Sequence, residues 1–177
     1  MKKINVKILA LIAVMSSVTA VLSQVAIPLP SGVPATLQTF AIALCGYILG
    51  KKFSVISVLV YIAMGIVGIP VFANFNAGIP AIAGVTGGFI WGFILLAFFC
   101  GLAKDNNNKI IVLLLSCLGL AACHFAGTVQ FVLVSGVSVG QAVLIASLPY
   151  IIKDILSVAA AYIVAISVVK VLKRKPV

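Results

Sequence analysis

Acidic residues are almost missing from this chain. Of its 177 residues only Asp105 and Asp154 carry a carboxylate, against 12 lysines and arginines, and the net charge is +10. Charged residues make up 8% of the sequence, where soluble domains carry about 25%. There is one histidine and one tryptophan. These shortages exclude whole chemistries. One carboxylate set in apolar sequence cannot form the pair needed for acid–base work. No Ser/His/Asp set and no phosphate-cradling glycine loop is present. The cysteines, Cys45, Cys100, Cys117 and Cys123, lie in apolar runs without CxxC spacing, so they read as small hydrophobes rather than metal ligands or disulfides. Cys123 and His124 are adjacent on a helix and diverge, so His124 is expected to hydrogen-bond between helices rather than hold a metal. No enzyme activity, metal or cofactor is expected.

Apolar residues are what the chain has in quantity. They amount to 64%, against about 45–50% in typical soluble domains, and the mean hydropathy is +1.36. Burying that much apolar surface needs lipid, so the chain reads as an all-α integral membrane protein whose first partner is the bilayer. On a soluble protein the basic excess would suggest nucleic acid. Here the lysines stop apolar segments, which is a topology signal, and no nucleic-acid partner is expected.

A crossing helix needs about 20 apolar residues. On that scale the spans are roughly 4–27, 36–49, 53–69, 84–102, 110–134 and 150–171. The first resembles a signal peptide, but its length and weak cleavage site favour a retained span. Residues 71–83 contain Asn74, Asn76, Gly78 and Pro80 and read as an irregular loop. Residues 136–147 read as a loop with room for a short interfacial helix. The expected architecture is a single six-helix membrane domain over residues 1–177. With the N-terminus inside, eleven lysines and arginines fall in the cytoplasm and none in the three outer loops. Both termini are therefore expected to be cytoplasmic, in the plasma membrane.

The twelfth basic residue, Lys153, stands beside Asp154 at the start of the sixth span. A charge at mid-bilayer costs roughly 2.5–3.5 kcal/mol on insertion scales, so such residues usually face a cavity or a partner. Tyr150, Asp154 and Ser157 share a helical face, and Lys153 points about 100° away. Charge counting places the pair about one turn below the outer surface, under loops rich in Pro, Gly and Asn. The expectation is an outward-facing pocket capped by loops. Asp154 would accept hydrogen bonds, Lys153 would donate, and Asn74 and Asn76 could do both. Phe72, Phe75, Trp91 and Tyr150 would supply apolar walls. The competing reading is a buried ion pair that only fixes helix packing.

Four segments, in order along the chain, resemble the BioY family. They are Val33-Pro34-Ala35-Thr36-Leu37-Gln38-Thr39-Phe40, Gly68-Ile69-Pro70-Val71-Phe72-Ala73, Thr86-Gly87-Gly88-Phe89 with Gly92-Phe93, and Pro149-Tyr150 with Asp154. Val85 stands where proline is common. Many relatives have glycine before the aspartate and lysine three residues after it, where this chain has Lys153 and Ser157. The resemblance implies a six-helix S component that binds biotin from outside. It would work with the T component and two ABC-type ATPases of an energy-coupling factor (ECF) transporter. It also implies that Asp154 accepts from the ureido N–H groups, helped by an asparagine of the 74–76 loop. Lys153 would meet the ureido carbonyl or the valerate carboxylate, and Gln38 joins the ligand set through its segment. Docking on the T component would use small residues of the first helix, here Ala13 with Ser17 and Ser16 with Ala20. The alternatives are an S component for another vitamin such as thiamine, and a non-transport structural membrane subunit.

Overall fold

The computed structural model describes residues 6–27 and 33–174, with side chains up to 172. The apolar runs become helices, because in lipid every backbone N–H and C=O must be paired within its own segment. The main ones are α1 (Val6–Ser23), α2 (Gln38–Ile66), α4 (Gly87–Ala103), α5 (Lys109–Ser135) and α7 (Leu148–Arg174). α3 (Ile79–Ala83) and α6 (Val139–Ala142) are single turns. Among the described residues, four helical stretches are long and apolar enough to cross a membrane, and α4 is a shorter apolar helix.

α2 is two helices in space. Gly50 breaks it with φ 77° and ψ 167°, a conformation essentially confined to glycine. The chain reverses there. Gln38 Nε2 donates to Tyr61 Oη at 2.8 Å, and Cys45 Sγ lies 3.9 Å from the Ser54 carbonyl oxygen. Pairs that close on one centre mean that the arms 38–49 and 51–66 run antiparallel. Counting them separately, the described residues form six long helical segments. At about 1.5 Å per residue the arms span only about 18 and 24 Å, less than the roughly 30 Å of hydrocarbon. They sit in the middle of the bundle, where Ile42, Tyr61 and Ile62 are fully buried.

The neighbours pack around those arms through small polar and aromatic contacts. Ser16 of α1 donates to the Ser57 carbonyl at 2.8 Å, and Ser54 donates to the Ala97 carbonyl of α4 at 3.1 Å. Tyr47 meets Tyr162 of α7 edge to face at 5.3 Å. The Gly50 turn rests on Gly101 of α4, where a Cβ would fall 2.4 Å from the Lys51 nitrogen.

Two segments differ from expectation. Residues 136–147 are mostly helix: Ser138 and Gln141 cap α6 reciprocally, and a π turn over Val143–Ser147 runs straight into α7. The wide turn precedes Pro149, which has no N–H to continue a regular ladder. Within 71–83, a 3₁₀ turn (Ala73–Phe75) and α3 give the loop more order than an irregular cap. A two-residue ribbon, β1 (Ala26–Ile27) with β2 (Ala35–Thr36), ties the end of α1 to the start of α2. Residues 28–32 of the expected Pro-rich turn lie outside the described residues.

Candidate ligand-binding site

Because the central arms are short, the bundle is hollow at one end. A cavity of about 200 Å³ opens there, between the start of α2, the 72–76 loop, α4, α5 and α7. The Gly50 turn with Lys51 and Lys52, and the α4–α5 loop with Lys104 and Lys109, lie at the other end.

α7 supplies the charged floor. Tyr150, Asp154, Ser157 and Ala161 are all buried, as their shared helical face requires. Asp154, at 6% exposure, is held from two directions. Lys153 Nζ contacts its Oδ1, and His124 Nε2 of α5 lies 3.2 Å from its Oδ2. Oδ1 is buried against the Lys153 ammonium, and since a carboxylate oxygen has two lone pairs, one remains beside that contact. Adjacent residues diverge on a helix, yet the flexible lysine stem lets Nζ fold back to its neighbour. Lys153 also donates to the Thr36 carbonyl at 3.0 Å, and Tyr150 donates to the Val33 carbonyl. Both bonds tie the 33–36 segment to α7 at the cavity mouth.

Gln38 is fixed from below by Tyr61 and from the side by Thr36, whose Oγ1 donates to Gln38 Oε1 at 2.9 Å. Phe72 is buried edge-on to Tyr61, with ring centroids 5.5 Å apart. Gln24 shapes the loop beyond it, donating to the Phe72 carbonyl at 3.2 Å and accepting from Phe75 N at 3.0 Å. Asn74 adopts φ 57°, a left-handed conformation that asparagine tolerates better than most residues.

Of the residues expected at the site, Asp154, Lys153, Asn74, Asn76, Tyr150, Phe72 and Gln38 line this one cavity. Trp91 does not. It is 40% exposed on the outside of α4, while Phe89, Ile90 and Phe93 of the same helix face the cavity. Phe75 is also exposed and outside the lining. α4 is apolar all round, so its hydropathy carries no signal for which face turns inward. Accordingly, Trp91→Ala should change ligand affinity by less than about twofold, as an outward-facing substitution does. A tenfold loss in a binding titration would return the ring to the site.

Sequence reasoning passed over Thr39 and Thr86, two polar lining residues, and the aromatic walls Phe89 and Phe93. His124 was expected between helices; it bridges α5 to α7, but at the ligand cavity. Among the residues expected to meet a partner, Ala13 and Ser17 lie on the exposed side of α1. Ser16 does not: it is 2% exposed and bonded to Ser57, because its side of α1 packs on α2. Ala20 is half-buried against the core.

A sequence model of the BioY family matches residues 1–174. The chain belongs to the BioY family. It is 36% identical to the probable biotin transporter BioY of Pyrococcus horikoshii over 159 residues, 90% of this chain and 94% of that one. It is 36% identical to the biotin transporter BioY of Thermotoga maritima over 147 residues, 81% of this chain and 86% of that one. A crystal structure of the S-component for biotin from an ECF-type ABC transporter superposes with a TM-score of 0.83 at 26% identity. It covers 97% of this chain and 93% of that one. BioY proteins are transporter components, not enzymes. With its apolar helices, this BioY-family chain is a multi-pass membrane protein.

Proposed function

We propose that this chain captures biotin in the cavity above the α2 arms and delivers it inward as the S component of an ATP-driven ECF transporter. One observation carries the reading: a single buried carboxylate, partnered by Lys153 and His124, lines an aromatic-walled cavity. A cyclic urea offers what a carboxylate accepts, an N–H donor without charge. Asp154 accepts from the ureido N–H groups, Lys153 meets the ureido carbonyl or the carboxylate at the mouth, and Asn74 and Asn76 close over the ring. Phe72, Phe89 and Phe93 enclose the thiophane. Thiamine fits less well, since it is a cation and the one carboxylate is already shared by Lys153 and His124.

The lysines at the Gly50 end set the orientation. Positive residues are retained in the cytoplasm, so the cavity opens outward and both termini lie inside. The partners are a T component and two ABC-type ATPases, reached through the exposed small-residue face of α1. Ala13→Leu with Ser17→Leu should prevent copurification with the T component while biotin affinity stays within about twofold. Intact assembly would remove this face as the docking surface. Mass spectrometry of ligand released from the purified protein tests the function itself. Biotin at up to one equivalent is expected, and release of a different vitamin would replace the proposed substrate.

A further inference from the structure

The polar chain that grips Asp154 continues past its first partner. His124 Nδ1 lies 3.2 Å from Ser147 Oγ, which lies 2.8 Å from Thr128 Oγ1. Asp154 comes from α7, His124 and Thr128 from α5, and Ser147 from the end of the π turn. Chemistry sets the directions when the imidazole is neutral. A carboxylate only accepts, so Nε2 carries the proton and donates to Oδ2. Nδ1 is then an acceptor, so Ser147 donates to it and in turn accepts from Thr128. Phe89 presses edge-on against the imidazole at 5.8 Å and 87°. Every group in the chain has one orientation open to it. Ser147 closes the wide turn, so the register of that turn decides whether its hydroxyl reaches the ring.

We propose that His124 is a positioning residue for ligand recognition. By holding Oδ2 it fixes the plane of the Asp154 carboxylate, and with it the direction from which Oδ1, beside the Lys153 ammonium, can accept from a ligand N–H. This deepens the biotin reading and rests on it. The ligand class so selected is a neutral cyclic urea or amide presenting N–H. Lys153 cannot set this plane alone, because its stem is flexible and its side chain is 32% exposed.

The test is a double-mutant cycle on purified protein, with biotin affinity by calorimetry and the melting of ligand-free protein as a folding check. His124→Leu should weaken binding by roughly 10- to 150-fold, the range for a lost hydrogen bond to a charged group. His124→Gln, whose amide keeps a donor for Oδ2, should recover to within about fivefold of wild type. The double variant His124→Leu/Asp154→Asn should bind within about threefold of Asp154→Asn alone, because both changes remove one interaction. Wild-type affinity in His124→Leu, or losses that multiply in the double variant, would overturn the proposal. Should His124→Leu not fold, Ser147→Ala replaces it, with an expected loss of about three- to tenfold and overturning if affinity is unchanged. A wild-type protein that binds no biotin would strike the biotin reading instead, before any variant is compared.

Discussion

Asp154→Asn is expected to weaken biotin binding by about 10- to 150-fold while the protein still folds. The figure follows from the change of acceptor. Hydrogen bonds to a charged group contribute about 1.5–3 kcal/mol, and the amide offers one neutral oxygen where the carboxylate offers two charged ones. Removing one member of a buried ion pair would ordinarily also threaten the fold, at about 3–5 kcal/mol. Here that cost is softened, because the Lys153 side chain is about a third exposed and retains its bond to the Thr36 carbonyl. The ammonium can turn to water at the mouth. A calorimetric titration reads the outcome, and unchanged affinity would make the pair a helix-packing device without a ligand role.

A large effect on folding is expected at Gly101→Val, about 3 kcal/mol, at the top of the usual overpacking range. A Cβ there would lie 2.4 Å from Lys51 N, 2.5 Å from Lys51 Cα and 2.7 Å from Gly50 C. These are backbone atoms of the turn that reverses α2, so no rotamer change relieves the clash. The turn cannot shift easily either, since Gly50 already occupies a conformation open to little besides glycine. α4 must therefore move off α2, and the cavity wall at Phe89 and Phe93 moves with it. Gly140→Val is the control: nothing lies within 4 Å of a Cβ there, and its effect should stay within about 0.5 kcal/mol. Thermal unfolding in detergent compares the two. Equal melting would mean that α4 does not lean on the turn.

Hydropathy and charge made most of the framework legible. Gly50 with Lys51 and Lys52 marked the reversal in α2, because a break followed by two ammonium groups cannot sit within hydrocarbon. The face carrying Tyr150, Asp154 and Ser157 was legible because helical spacing and one costly carboxylate agree on it. Two kinds of feature were not. The direction in which α4 turns is set by where its small residues meet α2 and α5, and an apolar helix in lipid has no polar side to betray it, so Trp91 was placed in the cavity and Phe89 and Phe93 were missed. The π turn before Pro149 was also hidden. Residues 136–147 carry glycine and serine as a loop does, while the bonds that keep them helical are the Ser138–Gln141 cap and the contacts of Ser147 across to α5. His124 shows the intermediate case: its partner class was legible, and the identity of that partner as the ligand-facing carboxylate was a tertiary fact.

Biotin affinity of the isolated wild-type protein tests the central claim most directly. Trp91 faces away from the cavity, so calorimetry or radiolabelled biotin is preferable to intrinsic fluorescence. The account predicts saturable binding of one biotin per chain at submicromolar concentration or below, about −8 kcal/mol or stronger, with no competition from thiamine. No detectable binding at micromolar biotin, or displacement of biotin by thiamine, would contradict it.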